Sequence, residues 1–306
     1  MRALVTGGAG FVGSTLADAL LAEGHEVLIL DNLSRGKREN VPGKAKLAQV
    51  DVTTAEAERL VAEYAPEALF HLAAQIDVRA SVADPAFDVQ SNVVSTVRLL
   101  SAAVRAKTGL FVLASSGGAI YGGQDFLPAS ETHPTRPESP YGLSKLCGEL
   151  YCDYYARTTA MRTVALRFGN IYGPRQDPHG EAGVVAIFAE KMLRATTPII
   201  NGDGGQTRDY VYVDDVVASA LAALTHAEAR GAYNIGTGIE TDVNALAKEI
   251  KKATGYSGDL RHGPAKPGEQ RRSVLDARHA RKELDWAPAV PFGEGIRRTV
   301  EWFGKR

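Results

Sequence analysis

Arg2–Thr6 (RALVT), Gly7-Gly8-Ala9-Gly10-Phe11-Val12-Gly13 and Ser14–Glu23 (STLADALLAE) follow one another without a break. The first is an apolar run of strand length. The last places Leu16, Ala17, Leu20 and Leu21 on one helical face, and Gly24 can end it. Between them the glycines satisfy G-x-G-x-x-G through Gly8, Gly10 and Gly13, and a wider G-x-x-G-x-x-G through Gly7, Gly10 and Gly13. Glycines in that setting allow a tight turn and a close approach of backbone to a pyrophosphate. The helix N-terminus then offers that anion free N–H groups and a positive dipole end. A glycine triplet alone is weak, but a second strand, Glu26–Asp31 (EVLILD), ends on a carboxylate 18 residues past Gly13. There it can accept hydrogen bonds from a ribose diol. The combination predicts a dinucleotide site. Asp31 would repel a 2′-phosphate, so NAD is expected over NADP; Arg35 and Lys37, close by, weaken that preference slightly. Asp51, at the end of a third strand, is placed to meet the adenine amino group.

Further strands are expected at Leu47–Asp51, Ala68–Ala74 and Leu110–Ser115, with helices around Ala55–Tyr64 and Asn92–Arg105. Strand and helix in alternation imply a parallel sheet covered on both faces. Beyond Thr163–Phe168 the pattern changes. A Gly/Pro-rich loop (Gly169–Glu181) leads to a helix (Val184–Leu193), a loop (Asn201–Thr207), a strand and helix over Asp209–Leu224, and smaller elements ending in a helix (Phe292–Phe303). The expected class is α/β: a Rossmann-like doubly wound parallel sheet with a smaller mixed α/β C-terminal substrate domain. The dinucleotide domain is assigned to residues 1–167, with part of 209–236 returning to it, and the discontinuous second domain to 168–306.

Composition narrows the function. The 306 residues carry 35 Lys+Arg against 36 Asp+Glu. That balance argues against a protein that holds nucleic acid through its phosphates. No apolar run is long enough to span a membrane. Cys147 and Cys152 are too few for a disulfide framework or a Cys-rich zinc site, and no His/Asp/Glu cluster has metal spacing. His71 reads as a core histidine, and no role is assigned to His179. The N-terminus lacks the long apolar core and cleavage site of a secretion signal, so a reducing, cytoplasmic setting is expected.

Tyr141-Gly-Leu-Ser-Lys145 places a phenol and an ammonium four apart, on one face of a helix that Pro140 can start. A nearby Lys⁺ and a cationic nicotinamide both favour phenolate, so the spacing predicts a tyrosine base with a lowered pKa.

With these residues in hand, the chain resembles the extended short-chain dehydrogenase/reductases, most closely the NAD-dependent sugar-nucleotide 4-epimerases of the UDP-glucose (UDP-galactose) 4-epimerase type. The resemblance runs through TGGAGFVGS, DNLSRGKREN, HLAAQIDVRASV, SSGGAIYG, SPYGLSK, LRFGNIYGPRQDPHGEAGVVAIF, GDGGQTRDYVYVDDV and YNIGTG, and covers almost the whole chain. It implies one NAD, bound tightly and regenerated each turnover. Phe11 and Val12 would meet the pyrophosphate. Asp31, Asn32, Ser34, Arg35 and Gly36 would surround the adenosine ribose, and Asp51 and Val52 the adenine. Leu72, Ala73, Ala74, Gln75 and Asn92 would flank the cofactor path. Ser115 would lie at the nicotinamide ribose, with Phe168 beside the nicotinamide and Tyr141 and Lys145 touching the cofactor. Asn170 and Arg208 would hold the substrate diphosphate and sugar. Lys266 stands where the family usually has a second phosphate-binding arginine, and supplies charge without the fork geometry.

One departure stands out. The family usually carries Ser or Thr five residues before the glycine of the YG pair, and here that position is Gly117. Ser116 is the adjacent hydroxyl; a water or Tyr141 alone are the alternatives. The implied reaction removes the C4-hydroxyl proton to Tyr141 and hydride to NAD⁺, turns the 4-ketosugar about its phosphate link, and returns hydride to the other face. Arg208 would hold the nucleotide still while the sugar turns, and Lys145 would adjust electrostatics. Ser273 aligns roughly with a position where a large tyrosine restricts the pocket. A small residue there would leave room for a 2-acetamido group, so UDP-GlcNAc/UDP-GalNAc are candidates beside UDP-Glc/UDP-Gal. Arg79 could reach a uronate carboxylate, which keeps a UDP-glucuronate epimerase or decarboxylase open. A 4,6-dehydratase would need an acid and base where Gly118-Ala119 stand, and a non-catalytic NAD-binding scaffold tends to lose the Tyr/Lys pair. Resemblance further implies a homodimer through helices around Asn92–Arg105 and Tyr141–Arg157.

Overall fold

The computed structural model describes residues 1–179, 183–266, 268 and 270–306; the last residues of the loop expected over Gly169–Glu181 lie outside these. The chain opens with β1 (Arg2–Thr6), α1 (Phe11–Ala22), β2 (Glu26–Asp31), β3 (Lys46–Gln49), α2 (Ala55–Tyr64) and β4 (Ala68–His71). It continues through α3 (Val78–Ala83), α4 (Pro85–Val89), a π turn at Gln90–Val94, α5 (Ser95–Arg105), β5 (Leu110–Ser116), α6 (Gly117–Ile120), α7 (Pro140–Thr158) and β6 (Arg162–Phe168). The remainder comprises β7 (Asn170–Tyr172), α8 (Val184–Leu193), β8 (Ile199–Asn201), β9 (Thr207–Tyr212), α9 (Val213–Thr225), β10 (Gly231–Ile235), β11 (Glu240–Asp242), α10 (Val243–Thr254), β12 (Arg261–Gly263), α11 (Arg278–Glu283) and α12 (Phe292–Gly304).

Seven strands form one parallel sheet in the order β10-β6-β5-β4-β1-β2-β3. Its strands are apolar on both sides because both faces are covered. Ala3, Val5, Val27, Ile29, Phe70 and Val112 point to the face packed by α1 and α9, among Leu16, Leu20, Val216 and Val217. Leu4, Leu28, Leu30, Leu69, Phe111 and Leu113 point to the opposite face, against Val61 of α2 and Leu99 and Leu100 of α5. The period of two along each strand thus builds two cores from one sheet. The order runs outward in opposite directions from β1 and β4, which pair from Ala3↔Ala68 to Thr6↔His71. Ligands in such sheets bind at the carboxyl ends of the strands where this reversal occurs.

A smaller sheet (β11-β9-β7) and a two-stranded one (β12-β8) pack with α8, α10 and α12 around Tyr172, Tyr210, Tyr212, Phe188 and Ile250. Strand β10 joins the large sheet beside β6, and α9 lies against α1.

Two local differences separate the fold from the sequence-based expectation. Strand β4 stops at His71, and residues 72–75 leave the sheet as an open strap. Helical structure begins at Pro85, upstream of Asn92, because Asp84 caps it by accepting from the Phe87 N–H at 3.0 Å and Pro85 sits at the first turn. Cys147 and Cys152 are both free; Cys152 is buried and Cys147 is not.

Candidate active site

A cleft of about 1900 Å³ crosses the carboxyl ends of β1, β2, β4, β5 and β6 and continues along α8 and the smaller sheets. Pockets for one drug-sized ligand run to roughly 1,000 Å³, so this one has room for a dinucleotide and a second extended molecule together.

One half is shaped by the glycine turn. Gly7 has φ +70°, and a Cβ on Gly13 would stand 2.2 Å from the Gly7 carbonyl oxygen. Gly7, Gly10, Phe11, Val12 and Gly13 line the cleft, whereas Gly8 backs onto the Ile29 side chain. The wider glycine spacing is therefore the one facing the cavity. No side chain caps α1, and its first turn lies on the cleft wall. Asp31 accepts the Ala9 N–H at 2.9 Å and the Leu33 N–H at 2.8 Å, which fixes its carboxylate on the cleft wall. Asn32 donates to Asp51 at 2.8 Å. Burial opposes the Asp51 charge, but hydrogen bonds from Thr53 and Asn32 prevail and hold its carboxyl below the usual range. Asn32, Ser34, Arg35, Gly36, Asp51, Val52, Leu72, Ala73, Ala74, Gln75, Ser115 and Phe168 complete this wall.

Asn92 does not reach the cleft. It is buried behind the strap, where its side chain accepts the Gln75 N–H at 2.8 Å and donates to the Gln75 carbonyl at 2.9 Å. The π turn carries Asn92 beneath the strap, and any influence on a ligand passes through Gln75.

Tyr141, Lys145 and Ser116 meet at the centre. Ser139 caps α7 by accepting the Gly142 N–H at 3.1 Å, with Pro140 in the first turn, so Tyr141 lies at the head of a 19-residue helix. Lys145 lies 5.7 Å from the centre of the Tyr141 ring and donates to the Ala114 carbonyl at 2.9 Å. The expectation of a lowered tyrosine pKa needs correction for the protein by itself. Burial pushes the Tyr141 phenol up to about 12; a hydrogen bond with Ser116 works against that, and the charge of Asp88 adds to it. Burial brings Lys145 down to about 8, opposed by Asp88 and Glu149. Desolvation outweighs the Ser116 hydrogen bond, so ionising the phenol calls for further positive charge in the cleft.

Gly117 faces away from the cleft. A Cβ there would stand 2.6 Å from Leu275 Cδ1, and Leu275 is fixed in a buried cluster with Ile120, Tyr121 and Ala129. The space for a side chain at residue 117 is filled, and the hydroxyl beside the phenol is that of Ser116.

On the other side Asn170, Arg208 and Lys266 line the cleft. Arg208 donates to the Thr207 carbonyl at 2.7 Å. Ser273 does not line it among the described residues. It is buried behind Gly118, its hydroxyl 3.7 Å from where a Gly118 Cβ would be, so the wall it was expected to form is made by Gly118. Arg79 and His179 border the cleft. His71 is a core residue, bonded to Thr6 at 2.8 Å and Thr96 at 3.0 Å; burial and then Lys145 lower its pKa to about 3.

Sequence reasoning missed Arg175, Gln206 and Gln270 on the substrate side. Arg175, in the loop after β7, reaches α1 through Asp18 at 2.7 Å and Ser14 at 3.1 Å. It also missed Asp88, which lies upstream of the helix expected from Asn92 and carries no signal in the sequence.

Residues 3–236 match the NAD dependent epimerase/dehydratase family. The chain belongs to this family. A UDP-glucose 4-epimerase of Mycolicibacterium smegmatis is 47% identical, with 99% of this chain and 98% of that protein covered. Among solved structures, the Thermotoga maritima UDP-glucose 4-epimerase with UDP-glucose superposes with a TM-score of 0.97 at 44% identity, covering 100% of this chain and 99% of that one. The Thermus thermophilus UDP-glucose 4-epimerase in complex with NAD gives 0.94 at 44% identity, covering 99% of each. The cradle fits the family's cofactor: with no side chain at Gly13 the helix closes directly on the Gly7 carbonyl, Gly10 leaves backbone bare on the cleft wall where a pyrophosphate could approach, and the fixed Asp31 carboxylate could accept from a ribose diol.

Proposed function

We propose that this chain interconverts C4 epimers of a UDP-sugar, UDP-glucose and UDP-galactose first, with Tyr141 as the proton carrier. The chain is an NAD-dependent sugar-nucleotide 4-epimerase. The observation that carries the residue assignment is the meeting of Tyr141, Lys145 and Ser116 in a cleft large enough for two nucleotides. NAD supplies the hydride acceptor and, through its positive ring, charge that favours phenolate. Gly7 to Gly13 hold its pyrophosphate, Asp31 its ribose and Asp51 its adenine end. Tyr141 takes the C4-hydroxyl proton and gives it back, and Lys145 holds its charge against the ring. Arg208, Lys266 and Asn170 grip the diphosphate and leave the sugar free to turn. A glycine at residue 118 leaves the sugar side of the cleft open, which favours acceptance of 2-acetamido sugars as well. Incubating the protein with a panel of UDP-sugars and no added cofactor tests the reading: C4 epimers should form from UDP-glucose and UDP-galactose. A panel that returns unchanged would overturn it.

Ser116 is assigned the hydroxyl role that Gly117 cannot fill. Replacing Ser116 with Ala should lower kcat about 100-fold, the lower end of acid–base contributions, with NAD content unchanged. An unaltered kcat would remove it from the mechanism.

The dimer in this reading uses α7 with α3 and α4. Leu143, Leu150, Tyr151 and Tyr154 share an exposed face of α7, beside exposed Val82, Phe87 and Val89. Helix α5 contributes little, since Leu99, Leu100, Ala102 and Ala103 are spent on the core. Leu150→Glu should convert a dimer to a monomer in sedimentation velocity; a species of unchanged mass would refute this face. Among the described residues no helix is long and apolar enough to cross a membrane. A cytoplasmic setting completes the reading, resting on the two unpaired thiols.

A further inference from the structure

Asp88, near the end of α4, is fully buried. Its carboxylate accepts three side-chain hydrogen bonds: from Gln75 Nε2 at 2.9 Å, Asn92 Nδ2 at 3.0 Å and Ser144 Oγ at 2.6 Å. These donors come from the cofactor strap, the π turn and the catalytic helix α7. All three are neutral, and among the described residues no arginine or lysine forms a direct ion pair with Asp88. A carboxylate buried without an ion-pair partner is costly, and these three hydrogen bonds offset that cost.

We propose that Asp88 is a positioning residue for the epimerase reaction. Its carboxylate locks α7 to the Gln75 strap, and its charge is the fixed negative potential facing Lys145 and Tyr141. The inference rests on the epimerase reading above. Ser144 precedes Lys145 and lies three residues after Tyr141, so a bond of 2.6 Å at Ser144 sets the height and rotation of both catalytic side chains relative to the strap.

The other charged groups around the pair are already committed. Glu149, one turn beyond Lys145 on α7, is closed by Arg167 of β6 at 2.6 Å. His71 of β4 is buried between Thr6 and Thr96. Arg98 and Arg105 of α5 turn to Glu58, and Asp84 caps α4. Asp77 and Arg79 stand at the start of α3, where Asp77 accepts the Arg79 N–H. Asp88 is thus the buried anion next to the pair that no cation closes. Its charge favours the ammonium form of Lys145 and disfavours the phenolate of Tyr141. Removing it therefore moves both ionisations to lower pH.

The test is the pH dependence of kcat in the NAD-loaded enzyme. Asp88→Asn should displace both limbs of the profile towards acid by about one unit, the size expected for loss of one nearby charge, with KM for the UDP-sugar changed less than 3-fold. Ser144→Ala removes one hydrogen bond and keeps the charge, so its limbs should stay in place while kcat falls. A D88N profile that coincides with wild type, or an equal displacement in S144A, would overturn the proposal. Should D88N fail to retain NAD, Asp88→Glu decides: it keeps the charge, and a displaced profile in that variant would contradict the inference. A wild-type enzyme lacking epimerase activity would instead defeat the epimerase reading itself.

Discussion

Tyr141→Phe is expected to lower kcat by on the order of 10³-fold, within the range of a lost general base, while the protein still carries NAD. The substitution removes one oxygen and nothing else. The ring remains at the head of α7, and the Lys145 bond to the Ala114 carbonyl does not involve the phenol. The glycine turn and Asp31, proposed to hold the cofactor, lie on other elements. Turnover therefore separates from binding. Rapid quench of the UDP-sugar reaction gives the rate, and absorbance of nucleotide released on denaturation gives the NAD content. A rate within 10-fold of wild type would mean that another group carries the proton. Loss of NAD along with the rate would mean that the phenol is a binding element first.

Glu149→Leu is expected to destabilise the fold by about 3–5 kcal/mol, the usual consequence of leaving one member of a buried ion pair alone. Glu149 and Arg167 are each less than a tenth exposed and meet at 2.6 Å, with a second contact from the Arg167 Nε at 3.0 Å. Arg167 also donates to Tyr121 at 2.8 Å, and Tyr121 donates to Asn234 at 2.8 Å, so the pair ties α7 and β6 to the segment that carries the YG turn. Ser115 donates to Glu149 as well, which connects the ion pair to the cleft wall. The urea midpoint reads the effect. A change below about 1 kcal/mol would place the pair among those that solvent already screens.

Much of the molecule is legible in the amino-acid sequence alone. Strands β1 and β2 and helices α2 and α8 match their expected bounds residue for residue, because each is an uninterrupted apolar or amphipathic run between turn residues. The glycine turn and Asp31 are readable because chain order and spatial order coincide there. The rest depends on contacts distant in sequence. Asn92 sits beneath the strap instead of on the cavity wall because a π turn, invisible to a 3.6-residue period, carries it there. Ser273 yields the wall to Gly118 because the segment around Leu275 passes behind α6. The upward shift of the Tyr141 pKa follows from burial by elements outside the Tyr-x-x-x-Lys motif. Asp88 is silent in the sequence for the same reason: an aspartate in a helix gives no sign that three donors from three segments will surround it.

The central claim is that one hydrogen leaves C4 of the sugar and returns to the same carbon on its other face within a single closed cleft. Following deuterium placed at C4 of UDP-galactose, in ordinary water with no added cofactor, tests it most directly. UDP-glucose formed with the label still at C4 is the expected result. Product that has exchanged its label for solvent hydrogen, or that forms only when NAD is supplied in excess, would contradict it.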